Sequence, residues 1–530
     1  MSRSEPTSWR HIVRNTFVVG GSFGLAALMG LLRNIIIARQ FGIGAELDAY
    51  YAAFKLPDLL FTVVAGGALA TAFIPVFAQV LTTHGRPMAW RLASSITNLV
   101  LLVVSLFAGL AALFAPWLVS TLIAPGFDLP QQRATAEVMR VVLLSTLVFG
   151  ISSVQGAVLH GFKHFLLPAL APVLYPVGII AGALWLAPTW GVRGLAIGAV
   201  AGAALHLAVK IPGLVYYGFE WRPILAVNSP SVRRVAVLMG PRILDLGVFH
   251  LTLLATTNLA SRLNAGSVSA LEWGWDAMQI PETLIGTAFG LVAFPTLADL
   301  AARKDMAGLR HTLGETLRAV LALTIPAAAG LILLGRPLLT LLYQRGAFDA
   351  AATEAVFVAL RFFALGLVGH ACLELAARAF FAQQDTVTPL LVATGSGIVN
   401  IGLALLMMGP LGHGGLALAN SLAVSAEVLV LLFILRRRWG GVEGKETLRV
   451  GWRILLATLV MALAVGGLVG VGQRAGLGAL WLVAGGGMVG AVFYLAAGLL
   501  LNVRVLLRLP AALLGRDKTP ALLPQIGTGD

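Results

Sequence analysis

Charge is what this 530-residue chain has least of: Asp, Glu, Lys and Arg make up 11% of it, against 58% hydrophobic residues. Soluble domains carry roughly 25% charged residues, so a soluble globular fold is excluded. Cysteine is nearly absent. The single one, Cys372, lies inside an apolar run, which excludes a disulfide framework and a thiol metal cluster. No Walker loop, Rossmann fingerprint or zinc-protease motif occurs, so ATP hydrolysis by this chain is not expected, nor any cofactor or resident metal. The ten-residue alternation of a transmembrane barrel is missing as well.

What the chain does have is a succession of apolar runs from Thr16 to Leu501. Each is about 20 residues long, enough to cross a hydrocarbon core of about 30 Å as a helix. The expected fold is therefore an all-α polytopic membrane protein with about fourteen spans, among them 47–80, 92–114 and 236–260. Sixty glycines suit close helix packing in lipid. Arg3, Arg10 and Arg14 precede the first run, which is too long for a signal peptide and contains Arg33, so a retained first span is expected. The net charge of +14 is dispersed between the runs and not gathered on one face, which argues against nucleic acid. Lys163, Arg222, Arg233, Arg234 and the Arg436–Arg438 run fall on alternate connections, placing both termini in the cytoplasm.

Phe127-Asp128, Pro168 and Gly194-Leu195-Ala196 recur 221 positions later as Phe348-Asp349, Pro389 and Gly415-Leu416-Ala417. Six spans separate the copies, so both enter the membrane in the same sense, an arrangement of transporters that bind between halves. The expected organisation is an N-terminal lobe 1–217, a cytoplasmic linker 218–235, a C-terminal lobe 236–438, two extra helices in 439–501 and an amphipathic cytoplasmic tail 502–530. Two parallel six-helix repeats would then face a central cavity.

Polar residues at membrane depth mark where such a protein works, because charge there is costly. The stretch from Arg33 to Pro75 holds Arg33, Arg39, Asp48, Lys55 and Asp58 around two apolar runs broken by Pro57 and Gly66-Gly67. A polar cavity walled by the first two spans is expected, with an Arg33–Asp48 ion pair as the structural alternative. Glu272 and Asp276 are four apart on one helix face, a spacing that favours a shared proton or a bound cation, or a position near the outer water. Asp245 and Asn400 are weaker candidates as cation ligands. Glu374 and Arg378 read as an ion pair within one helix. His160 and His164 have metal-pair spacing but no third ligand in view.

Several longer stretches carry a family resemblance: Arg378-Ala379-Phe380-Phe381-Ala382-Gln383-Gln384-Asp385-Thr386-Val387-Thr388-Pro389, Leu342-Tyr343-Gln344-Arg345-Gly346-Ala347-Phe348, Phe54-Lys55-Leu56-Pro57-Asp58-Leu59-Leu60, Ala72-Phe73-Ile74-Pro75 and Ala124-Pro125-Gly126-Phe127. In these the chain resembles the MurJ (MviN) lipid II flippases of the multidrug/oligosaccharidyl-lipid/polysaccharide exporter superfamily. The resemblance implies translocation of an undecaprenyl-diphosphate-linked peptidoglycan precursor from the inner to the outer leaflet by alternating access, in the bacterial inner membrane. It implies a transporter, not an enzyme, with the lipid-linked precursor, membrane lipids and cell-envelope synthesis proteins as partners. Guanidinium suits a diphosphate because it stays charged and bonds phosphate oxygens in pairs.

By that resemblance Arg33 and Asp48 match family positions, and the expected substrate-binding set is Arg33, Asp48, Lys55 and Asp276. Cation coupling is expected at Glu272, Asp276, Asp245 and Asn400. The chain departs from the family where Ala27 and Phe61-Thr62 replace arginines, where Trp275-Asp276 replaces an Asp-Arg pair, and where Asn34, Gly66 and Gln279 replace acidic residues. An exporter of another amphiphile, and a transport-inactive scaffold for envelope enzymes, are the alternatives those losses leave.

Overall fold

The computed structural model describes residues 9–64, 67–503 and 506. It forms two compact units, Met1–Ser269 with Arg345–Asp349, and Ala270–Gln344 with Ala350–Asp530. The first contains α1 (Trp9–Phe41), α2 (Ala45–Val64), α3 (Gly67–Leu113), the short α4 (Ala115–Leu118), α5 (Leu129–Gly161), α6 (Leu166–Ala181), the short α7 (Ala187–Trp190), α8 (Val192–Ala208), α9 (Ile211–Tyr216) and α10 (Pro230–Ala260). The chain enters the second unit along α11 (Ser267–Glu282). There follow α12 (Ala288–Ala302), α13 (Met306–Tyr343), α14 (Ala350–Phe381), α15 (Val387–Leu411), α16 (His413–Trp439), α17 (Gly444–Arg474) and α18 (Ala479–Leu500). Wide π turns at Val119–Ile123, Gly182–Leu186 and Thr283–Thr287 extend α4, join α6 to α7 and join α11 to α12.

Local chemistry sets several boundaries. Asp128 caps α5 by accepting from Gln131 N at 2.8 Å, and Asp305 caps α13 by accepting from Gly308 N at 2.9 Å. Gly85 interrupts α3 at φ 79°, a left-handed conformation that a glycine takes without strain. Among the described residues twelve stretches are long and apolar enough to cross a membrane. The second expected span runs from α2 onto the start of α3, the third follows the Gly85 kink within α3, and the seventh lies within α10, whose Leu246–Ala260 part is apolar.

The internal duplication is written into the backbone. Leu129, Leu166 and Val192 open helices in the first unit, and their counterparts 221 residues on, Ala350, Val387 and His413, open helices in the second. Gly191 and Gly412 take the same conformation, φ 55°, ψ −140° and φ 56°, ψ −138°. Lys163 and Gln384, equivalent again, both turn left-handed at φ 58° and 60°.

Each unit buries its own core. In the first, Phe73 and Phe77 of α3 pack with Trp90, Leu159 and Val235. In the second, Leu375 and Phe380 of α14 pack with Leu431, Leu435 and Trp439 of α16. Helices α17 and α18 pack on α13, where the Tyr494 hydroxyl donates to Ala322 O at 2.5 Å. Of the expected tail, Val503 and Leu506 join that cluster. The rest of it, residues 504, 505 and 507–530, lies outside the described residues.

Candidate functional site

The polar residues of the Arg33–Pro75 stretch separate into two groups. Arg33, half-buried on α1, donates through Nε and Nη2 to Asn34 Oδ1 at 3.0 and 2.8 Å. With Asp58 of α2, it acts electrostatically on the hydroxyls of Tyr50 of α2 and Tyr175 of α6. Lys55 is half-buried on α2, one turn before Asp58, and acts on His250 of α10. Three helices of one unit, α1, α2 and α6, thus bring a guanidinium, an ammonium, a carboxylate and two phenols into one polar neighbourhood, and α10 adds His250 beside the ammonium. In such a set two cations outweigh the single Asp58 carboxylate and can attract an oxyanion, to which the phenol hydroxyls can donate.

Asp48 stands apart from that group. It is 1% exposed and accepts from Gly266 N, Ser269 N and the Ser269 hydroxyl, each at 2.7 Å. The carboxylate therefore caps the first turn of α11, satisfying N–H groups that a helix start leaves unbonded. The Arg33–Asp48 ion pair held as an alternative is replaced by this cap.

Two of the motif stretches pack closely on the ends of helices in the first unit. Ala347 N donates to Arg39 O at 2.9 Å, and a Cβ on Gly346 would stand 2.3 Å from that same carbonyl. Gly126 N donates to Ser261 Oγ at 3.1 Å, and a Cβ there would stand 2.4 Å from Ser261 O. Asn258 adds a bond to Leu122 O at 2.7 Å, and Gln131 one to Ala45 O at 2.8 Å. Two loops at equivalent places in the repeat each press a glycine on the C-terminal end of a helix, one on α1 and one on α10.

Asp276 and Glu272 lie in the second unit, both half-buried on α11 and one turn apart. Trp275 between them packs edge-on against Phe363 and His370 of α14. Asn400 is buried on α15. Asp245 falls on α10, with its side chain outside the described residues. Glu374 and Arg378 form the expected ion pair on α14. His164 meets the Tyr217 hydroxyl at 3.4 Å, and His160 packs on Phe165.

Sequence reasoning missed two buried polar groupings. Glu282, at the end of α11, shares the field of Glu374 and Arg378 and is bonded by the Thr283 hydroxyl at 3.4 Å. Lys210, 2% exposed, donates through Nζ to Ser152 O at 2.6 Å, while the Ser152 hydroxyl meets His206 Nδ1 at 2.8 Å. An acid and a lysine within apolar runs were the available signals.

At the helix ends that carry the basic connections, ion pairs tie the second unit together. Glu443 takes Arg318 at 2.8 Å and His311 at 3.1 Å. Partial burial opposes its charged form, but those two bonds win and hold its carboxyl below the usual range. At Asp385 burial again opposes ionisation, and bonds from the Thr388 hydroxyl and amide and from Arg438 bring it down to about 2.

An internally duplicated bundle of apolar helices, with cations and phenols gathered among its first spans, defines a polytopic membrane transporter. The family model described as lipid II flippase MurJ matches residues 37–484, and the chain belongs to that family. The lipid II flippase MurJ of Burkholderia cenocepacia is 31% identical over 459 residues, covering 85% of this chain and 89% of that protein. The probable lipid II flippase MurJ of Rhizobium meliloti is 30% identical over 470 residues, with 86% of each covered. Among solved structures, lipid II flippase MurJ in an inward closed conformation superposes with a TM-score of 0.77 at 22% identity, covering 94% of this chain and all of that one. An inward-facing multidrug resistance transporter of the MATE family gives 0.67 at 14% identity, covering 79% and 96%.

Proposed function

We propose that this chain flips lipid II, the undecaprenyl-diphosphate-linked peptidoglycan precursor, from the inner to the outer leaflet of the bacterial cytoplasmic membrane. The observation that carries the reading is the polar neighbourhood of Arg33, Lys55, Tyr50 and Tyr175 in a chain of this family. Arg33 and Lys55 hold the diphosphate, with the tyrosines as neutral donors. Asp48 serves transport by fixing the start of α11, and Asp276 serves as the polar contact of the second unit. Glu272, Asp276, Asn400 and Asp245 are the groups through which a cation would couple. Lobes 1–217 and 236–438 are the moving bodies, and the arginine-rich connections hold both termini in the cytoplasm.

Purified protein in vesicles with labelled lipid II, followed by leaflet accessibility, tests this. Arg33→Ala should lower precursor binding roughly tenfold, and Arg33→Lys less, because lysine keeps the charge but loses the planar fork. Wild-type binding in both variants would reject the role of Arg33, and absence of flipping by the wild type would reject the function. Moving one charge through 100 mV is worth about 2.3 kcal/mol, so an imposed potential should change the rate severalfold. A rate indifferent to the potential would remove it as the driving force.

A further inference from the structure

The 218–229 connection has no helix of its own, yet it is tied down along its length. Ser94 of α3 accepts from Arg222 N at 3.1 Å and donates to Glu220 O at 3.3 Å. Ser95 accepts from Ala226 N at 2.9 Å. Asn98 donates to Arg222 O at 2.8 Å and Ile224 O at 3.0 Å, and takes the Trp221 indole N–H at 2.9 Å. Three side chains within five residues of α3 thereby bond the backbone of an extended strap that has no ladder partner among the described residues. Phe219 anchors its start on Trp90, ring centroids 5.2 Å apart.

Under the strap lies a cavity of about 270 Å³, bounded by Leu101 of α3, Ile151 and Val158 of α5, Leu214 of α9, and Phe219 and Trp221. Its walls are almost wholly hydrocarbon. Water in such a space needs two to four polar partners. The lining offers Thr97, whose hydroxyl is already turned to Ala93 O at 2.8 Å, and Gln155, whose Oε1 is buried without a partner among the described residues. An apolar occupant therefore fits better than water.

Two further observations say which occupant. The cavity adjoins surface that this chain turns to lipid: Leu102 and Leu106 on α3 and Val215 and Tyr216 on α9 are more than half exposed. Two exposed arginines stand near it: Arg91, one turn before Ser94 on α3, and Arg222 on the strap, whose Nη2 now donates to the exposed Glu220 Oε2 at 2.9 Å and would exchange that carboxylate for a phosphate. We propose that the cavity is a binding site for one acyl chain of an anionic phospholipid, with its phosphate held by Arg91 and Arg222. The site is separate from the polar neighbourhood of Arg33 and requires only that these helices span a membrane. The chain fills the space between α3, α5 and α9, and the headgroup meets the strap where its backbone is bonded to Ser94.

The test uses the full-length protein in detergent with a phosphatidylglycerol that carries a photoactivatable group on one acyl chain. Labelling should concentrate in peptides holding residues 97–101, 151–158 and 214–221. Leu101→Trp fills the cavity from a partly exposed position and should cut that labelling roughly tenfold with melting temperature unchanged. Gln155→Leu removes the orphaned acceptor and should raise labelling, an outcome that misfolding cannot imitate. The Arg91→Gln, Arg222→Gln double variant should lose the preference for phosphatidylglycerol over phosphatidylethanolamine. Label spread evenly over the lipid-facing residues of α3, or unchanged in Leu101→Trp, would overturn the proposal. Displacement by undecaprenyl phosphate but not by unlabelled phosphatidylglycerol would overturn it too, in favour of an isoprenoid chain.

Discussion

The turn at Lys163 and the turn at Gln384 share one backbone and hold it by different chemistry. After Gln384, Asp385 accepts from Arg438 at 2.6 Å and from the Thr388 hydroxyl at 2.6 Å, and Gln383 accepts from the Trp439 indole at 3.0 Å. At the corresponding places of the first unit Phe162 stacks on Tyr217 with centroids 4.5 Å apart, and His164 meets the Tyr217 hydroxyl at 3.4 Å. An ionic clamp in one copy is an aromatic stack in the other. The helix interfaces diverge in the same way. In the first unit Gly178 and Gly182 face Gly194, Gly198 and Gly202, with backbones so close that Cβ atoms would stand 2.2–2.8 Å from them. Of these five, only Gly194 keeps a glycine counterpart, Gly415; Gly202 answers to Ala423. Inside the bundle, the buried Lys210 answers to the equally buried Leu431. Duplication has preserved backbone turns and helix starts, while the contents of the interfaces have been free to change.

The largest effect should come from breaking the glycine interface. Gly202→Val would push a side chain into Tyr175 O and should cost about 3 kcal/mol or more, because backbone cannot yield as a side chain does. Ala423→Val, at the equivalent place, should cost no more than about 1 kcal/mol. Melting curves of the two variants in one detergent make the comparison, and equal losses would show that the two interfaces are alike after all.

Next is the ionic clamp. Asp385→Asn should remove up to about 1 kcal/mol, since the pair is partly exposed. The sign with pH follows from a folded carboxyl at about 2 against an ordinary value of 3.8. Its stabilisation is complete above about pH 4 and is lost as pH falls from there toward 2. Wild type and Asp385→Asn should therefore converge in melting temperature over that window, and a constant gap would deny the clamp its charge. The smallest effect belongs to Tyr217→Phe, which loses one long bond and keeps the stack, at about 0.5 kcal/mol or less. A larger loss than that of Asp385→Asn would invert the comparison.

What could be read in the sequence follows the same division. Apolar runs and the 221-residue recurrence carry the helices and the duplication because burial in lipid demands them at every span. The break expected between 47–80 and 92–114 falls at the Gly85 kink of α3. Arg33 and Lys55 were legible as cations at membrane depth, and Glu374–Arg378 as a one-turn pair. Asp48 was open to two readings because its partners Gly266 and Ser269 are more than two hundred residues away, and a helix cap across that distance leaves no local pattern. Glu282 and Lys210 stand out in the sequence only as charges near apolar runs, and their partners could not be read because they arrive from α14 in one case and from α5 in the other.

The strap on α3 has a practical consequence for anyone who wishes to attach a reporter to this protein. Residues 220–226 look like the natural insertion point, part of a long described stretch without a helix and exposed for much of its length. An insertion there would tear the backbone from Ser94, Ser95 and Asn98 and uncover the apolar hollow beneath. Val227 and Asn228, just past the last of those bonds, are exposed and among the described residues make none with α3, so a fluorescent domain or protease site placed between them would leave the surrounding helices undisturbed.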